Sequence, residues 1–228
     1  YECRSYCSSR WSYLNCQFWQ CLHSGLIMPI VLNGSGTVSG ISAGGLPDGI
    51  IQAADLASGV GGKILQVVVN EKSDAVSISG QSDGSTFGDV TGINITITPT
   101  GVSSKILVQF CLGKVAHDGN STGVRFTRSV AGASATAIKI GDTSGSKKSV
   151  SSNILGANLI NTGHAQAFNY QFVDTPSYSV GQAIVYQMQV ITEGSANFYV
   201  NRTHDDTDQG NIYFARAFST ITAMEVAG

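Results

Sequence analysis

Between Thr91 and Thr100 the chain reads TGINITITPT, with apolar and polar residues alternating without a break. Successive side chains of an extended chain point to opposite faces. Ile93, Ile95 and Ile97 therefore share one side, and Asn94, Thr96 and Thr98 the other. A helix would scatter these isoleucines around its axis. A strand lays them on a core and leaves the polar set in water, which is the pattern of an antiparallel sheet with one solvated face. Pro99 closes the segment, because it has no N–H to give to a ladder.

The same period recurs along most of the chain. Residues 63–72 (KILQVVVNEK) are rich in β-branched residues, and 74–79 form a second short run. GQSDGS (80–85) reads as a loop. In 104–117, Ile106, Val108, Phe110 and Leu112 lie on one face and Leu107, Gln109 and Cys111 on the other, so this strand is expected to be covered on both sides, with Cys111 as a small core residue. Residues 123–130, 135–142, 149–160, 165–174, 183–192 and 196–202 follow as strands separated by turn residues. In the last run, 214–228, Phe218, Ile221, Met224 and Val226 are expected on the apolar side, with a bulge near Thr220. About ten short strands with no helical period among them predict an all-β fold: an antiparallel, jelly-roll-like β-sandwich over residues 63–228.

Only 12% of residues are charged, so Ser, Thr, Asn and Gln must keep the surface in water. The net charge of −2 gives no footprint for nucleic acid. No apolar run reaches the roughly 18 residues that a membrane-spanning helix needs, and no membrane insertion is expected.

Residues 1–27 differ from everything after them. Cys3, Cys7, Cys16 and Cys21 crowd this leader together with both tryptophans, Trp11 and Trp19. One reading is a disulfide or zinc knot completed by His23. The other is that the segment is upstream sequence translated in frame, because the first methionine is Met28 and MPIVLNGSG reads as a start. The second is the expectation. Residues 28–62 form a glycine-rich neck, or attachment segment. Within it Asp48 can cap a short helix with Ile50, Ile51, Ala54 and Leu56 on one side. Such a helix is too short to stand alone in water, and further copies around an axis would give it a partner.

The motifs GGKILQVV (61–68), FGDVTGINITITP (87–99), SSKILV (103–108), VYQMQV (185–190), VNR (200–202) and STITAMEV (219–226) resemble a C-terminal module of tail-fibre and virion structural proteins of marine bacteriophages. Residues 35–59 are similar to the fibre sequence that precedes such modules. The resemblance implies a component of the virion and a homotrimer, with residues 28–62 contacting other virion proteins and the head exposed for host attachment. The alternative is a capsid-decorating protein, a cement or head fibre, with no receptor role.

No G-x-S-x-G elbow or phosphate loop is present, and Glu2, Glu71, Glu193 and Glu225 are the only glutamates, so no enzyme chemistry is expected. The densest polar cluster is NRTHDDTDQGN (201–211). Asp205, Asp206 and Asp208, with Asn201 and Asn211, offer hard oxygen ligands for calcium. Equally, this can be a solvated loop whose aspartates make turn bonds, with Arg202 pairing to one of them. For contact with a host-surface glycan the candidates are Tyr178 in the loop 174–181, Lys147 and Lys148 in the loop 141–148, and His204. The remaining C-terminal aromatics are expected mainly in the core.

Overall fold

The computed structural model describes residues 31–32, 38–39, 63–79, 87–119, 121–155, 164–194 and 196–228. The leader 1–27, the helix expected at Asp48 and the loop at 80–85 lie outside these residues. In the N-terminal unit, Tyr1–Gln52, strands β1 (Val31–Leu32) and β2 (Val38–Ser39) pair antiparallel. The second unit, Ala53–Gly228, carries the sandwich.

Its strands are β3 (Ile64–Lys72), β4 (Val76–Ile78), β5 (Gly88–Ile97), β6 (Lys105–His117), β7 (Ser121–Val130), β8 (Thr136–Ile138), β9 (Ser152–Leu155), β10 (Gln166–Asp174), β11 (Ile184–Thr192), β12 (Phe198–Val200) and β13 (Ser219–Val226). All pairings are antiparallel. One sheet contains β3, β13, β6, β12, β4 and β10, and the other contains β5, β11, β7, β8 and β9. The chain passes repeatedly from sheet to sheet, at β4–β5, β5–β6, β6–β7, β9–β10, β10–β11 and β11–β12, which gives the jelly-roll character. Among the described residues no helix is long and apolar enough to cross a membrane.

The core lies between the sheets. Ile93, Ile95 and Ile97 of β5 face Ile106, Val108, Phe110 and Leu112 of β6 across it, all buried as the alternation requires. Burial of each such side chain contributes about 1.5–3 kcal/mol. Phe110, Phe126, Phe168, Tyr170, Phe172 and Tyr186 form a chain of ring contacts through the centre, with Phe110 and Phe126 4.5 Å apart.

Two expectations fail. Cys111 is exposed, not in the core, because the face of β6 that carries Leu107, Gln109 and Cys111 is the outside of its sheet and nothing in the described chain covers it. In β13 the inward residues are Ile221, Ala223 and Glu225, whereas Met224 and Val226 point outward and Phe218 is exposed before the strand begins. Glu225 faces in because its carboxylate fills the turn after β5. It accepts hydrogen bonds from the backbones of Thr100 (3.0 Å) and Gly101 (2.8 Å), from the Ser104 and Thr100 hydroxyls, and from the Gln66 amide. Burial alone would raise its pKa, but these donors outweigh burial and hold it below the usual range.

β12 and β13 lie end to end along the same edge of β6. Val200 pairs with Val115 and Ser219 with Leu112, so residues 201–218 are an excursion from one interrupted strand. Gly113 marks the break: a Cβ there would collide with the Phe218 carbonyl oxygen. At the base, Asn201 sits in the left-handed region at φ 62°. It is fully buried; its amide donates to the Lys72 and Asp74 carbonyls, and its Oδ1 accepts from the Ser219 hydroxyl at 2.6 Å.

Candidate functional site

The end of the sandwich where β6 stops and β7 begins collects most of the chemistry. There the turn at Asp118, the start of β12 and the excursion meet. The Asp118 carboxylate accepts from the Asn197 backbone, from the Asn197 amide at 2.6 Å and from the Tyr199 hydroxyl at 2.9 Å, and His204 Nε2 lies 3.8 Å away. Desolvation pushes Asp118 up, yet the bonds from Asn197 and Tyr199 and the neighbouring His204 prevail and hold it below the usual range. The Tyr199 ring packs between His204, at 5.6 Å, and the Arg202 guanidinium, at 4.8 Å.

Behind this turn His117 is fully buried, and among the described residues neither ring nitrogen has a well-aligned hydrogen-bond partner. Burial lowers its pKa, and the Gly119 backbone and the Asp118 charge offset this only in part. The unfolded chain therefore binds a proton that the folded chain resists. Stability is full above the unfolded pKa of about 6.5 and falls as pH drops below it. The lowered carboxylates Asp118 and Glu225 lose their contribution only below about pH 4.5, so a fall between pH 6.5 and 5 is a histidine effect, and burial of His117 gives it the right sign. Thermal melts should show a falling midpoint across that interval, and H117L should flatten it. A wild-type profile level from pH 7 to 5 would refute this account.

Beside the turn is a groove of about 390 Å³ lined by Ser121, Gly123, Lys147, Lys148, Val150, Asn153, Ile191, Thr192 and Glu193. Its parts come from β7, β9, the end of β11 and the loop after β8. That loop is closed by Gly141 N–H donating to the Val150 carbonyl and by a turn from Ser144 to Lys147, and Ser151 N–H fastens it to Val124 of β7. Gly123 keeps the floor low, since a Cβ there would meet Val150 Cγ1 at 2.9 Å. The Ser121 hydroxyl donates to Asn153 Oδ1 at 2.8 Å. The groove thus has an aliphatic floor of Val150 and Ile191, two exposed ammonium groups, a hydroxyl and an amide on its walls, and one carboxylate, Glu193, on its rim.

The structure brings Lys147, Lys148 and His204 to the same end of the sandwich. Tyr178 lies elsewhere. Its hydroxyl accepts from Ser104 N–H at 2.8 Å and donates to the Gly101 carbonyl at 2.7 Å, and its half-buried ring packs on the core. Ser104 precedes β6 and His117 ends it, a separation of about 40 Å at the rise of a strand. The three aspartates do not converge. Asp206 accepts from Arg216 at 2.7 Å and lies 3.6 Å from Arg202. Asp205 lies 3.2 Å from His204 Nδ1, without the alignment of a hydrogen bond, and Asp208 is exposed. Asn201 is committed to the base of the excursion, and Asn211 caps the 3-10 turn Ile212–Phe214. Among the described residues no three His, Cys, Asp or Glu side chains are placed to hold a metal ion. Sequence reading missed the groove, because its floor residues Gly123, Val150 and Ile191 look like ordinary strand and loop positions.

No family model and no curated protein matches the chain. Among solved structures it is similar to that of the infectious bursal disease virus Gx strain, at 14% identity and a TM-score of 0.32, over 72% of this chain and 37% of that one. It is also similar to the infectious bursal disease virus VP2 subviral particle, at 13% identity and a TM-score of 0.31, over 72% of this chain and 38% of that one. The chain therefore spans well under half the length of either.

Proposed function

We propose that this chain is a virion structural protein: a homotrimeric phage tail-fibre or appendage module whose neck, residues 28–62, joins other virion proteins and whose sandwich meets a host-surface glycan. The observation that carries the contact role is the groove under Lys147 and Lys148. An aliphatic floor suits the apolar face of a sugar ring, and Ser121 and Asn153 suit its hydroxyls. Two ammonium groups suit a saccharide bearing carboxylate or sulfate, with Glu193 restricting where that charge can sit. Support for the virion role comes from the fibre-like motifs of the sequence, the small charged fraction and the polar outer face of the β5–β11–β7 sheet.

The test is binding of the full chain to an array of neutral and acidic glycans and to host envelope preparations. Acidic saccharides should bind, and K147A/K148A should weaken them at least about tenfold, the equivalent of roughly 1.4 kcal/mol. Absence of binding to any host preparation would refute the contact role and favour a decorating protein.

A further inference from the structure

The sheet that floors the groove continues beyond it, and its register sets the outward residues in rows. Gly123 of β7 and Ile191 of β11, both in the groove, are opposite each other. The next outward row pairs Arg125 with Gln189, the one after it Thr127 with Gln187, and the last Ser129 with Val185. On the other side of β11, Asp89 of β5 is opposite Gln189. At the rise of an antiparallel strand, Gly123 and Ser129 stand roughly 20 Å apart. The Arg125 side chain is fixed in place. Its Cζ lies 4.0 Å over the Phe87 ring, and its Nε donates to Gln189 Oε1 at 2.8 Å. Gln189 Nε2 in turn donates to Asp89 Oδ1 at 2.6 Å. Among the described residues, the two Nη groups of Arg125 have neither a hydrogen-bond nor an ion-pair partner. Beside this row is a hollow of about 210 Å³, where Thr127, Ser129 and Gln187 meet Ala135 from the loop before β8. Thr127 lines it although only 3% exposed, and its hydroxyl makes one long bond, 3.5 Å, to the Gln187 carbonyl.

We propose that the groove under Lys147 and Lys148 is one end of a longer site running along β7 and β11, with Arg125 and the hollow at Thr127 as further subsites, and that its ligand is a linear acidic oligosaccharide several rings long. The cations set the ligand's charge pattern. Lys147 and Lys148 stand over Gly123, and Arg125 follows two residues along the same strand, so a chain that repeats its carboxylate or sulfate meets both. The planar guanidinium suits such an anion through two parallel N–H groups. Held by Phe87 and Gln189 before any ligand arrives, it has little freedom left to lose on binding. Between and beyond the charges, the Thr127 and Ser129 hydroxyls and the exposed Asp89 carboxylate suit sugar hydroxyls. A protein partner would need an apolar anchor, and none of the exposed large apolar side chains stands in these rows.

This inference rests on the glycan contact of the proposed function and names the form of the glycan. It is tested by titration calorimetry of the full chain with two acidic series, oligogalacturonates for carboxylate and heparin-derived oligosaccharides for sulfate, each as disaccharide and hexasaccharide. In at least one series the hexasaccharide should bind more than about tenfold tighter than the disaccharide. R125A should remove most of that advantage and leave the disaccharide affinity unchanged, whereas K147A/K148A should weaken both lengths. A135E, at an exposed wall of the hollow, should weaken the hexasaccharide alone, and it decides the matter if R125A does not fold. No binding in either series would overturn the groove reading and this extension together. Equal affinity for the two lengths, a hexasaccharide untouched by R125A and A135E, or equal losses at both lengths in these variants would overturn the extension alone and leave the groove standing.

Discussion

Deletion of Ser219–Gly228 should leave no soluble, folded protein. Although these residues end the sequence given, β13 is an interior strand bonded to β3 on one side and β6 on the other. Its loss removes Ile221 and Ala223 from the core and leaves β3 without its ladder partner. It also removes Glu225, leaving the backbone N–H groups of Thr100 and Gly101 and the Ser104 hydroxyl without their acceptor. A single large aliphatic lost from a core costs about 2–5 kcal/mol, and each orphaned donor about 1–3 kcal/mol. Together with the exposed edge of β6 this is comparable to the whole 5–15 kcal/mol by which typical domains are stable. Expression followed by size-exclusion chromatography and circular dichroism tests it. A truncated protein of native size and β content would show that β13 is dispensable.

The same strand shows how far the sequence could be read. Ile93, Ile95 and Ile97 were legible because strand periodicity and burial are both local properties of TGINITITPT. The phase of β13 was not, since apolar residues normally face in and charged residues out. Here Glu225 faces in because Gln66, Thr100, Gly101 and Ser104 supply donors from more than a hundred positions away, and that surplus of donors has no local signature. Cys111 failed for a related reason: which face of β6 is the outside follows from the other sheet packing over Ile106, Val108, Phe110 and Leu112, not from the strand's own residues. The excursion at 201–218 was legible as polar and turn-rich, but not as a break in one strand, which depends on the fit of Gly113 under Phe218. For the candidate site the lysine pair could be singled out from its loop. The hollow beneath it could not, being made by residues of three different elements.

D174A should destabilise the sandwich by about 3–5 kcal/mol, the cost of removing one partner from a buried ion pair. Asp174 ends β10 in one sheet, and its partners belong to the other. Arg128 Nη1 of β7 reaches both carboxylate oxygens, at 2.8 and 3.0 Å, and the Tyr186 hydroxyl of β11 donates at 2.9 Å. Tyr186 and Arg128 are cross-strand neighbours, so a single carboxylate fastens both strands to β10. Tyr186 is fully buried, and burial first, with the Asp174 charge after it, pushes its phenol well above the ordinary range, so it stays a neutral donor at any working pH. Alanine at 174 leaves that hydroxyl without an acceptor and the Arg128 cation, three-quarters buried, without a counter-charge. Y186F removes a donor instead of orphaning one, so it should cost only about 1 kcal/mol. In the Y186F background D174A should cost about 1 kcal/mol less than in wild type, because one of the two groups it strands is already gone. Urea unfolding of the four proteins measures both quantities. A D174A midpoint within about 1 kcal/mol of wild type, or strictly additive single and double variants, would mean that the apolar core alone joins the sheets and that the Arg128–Asp174–Tyr186 cluster adds no cohesion between them.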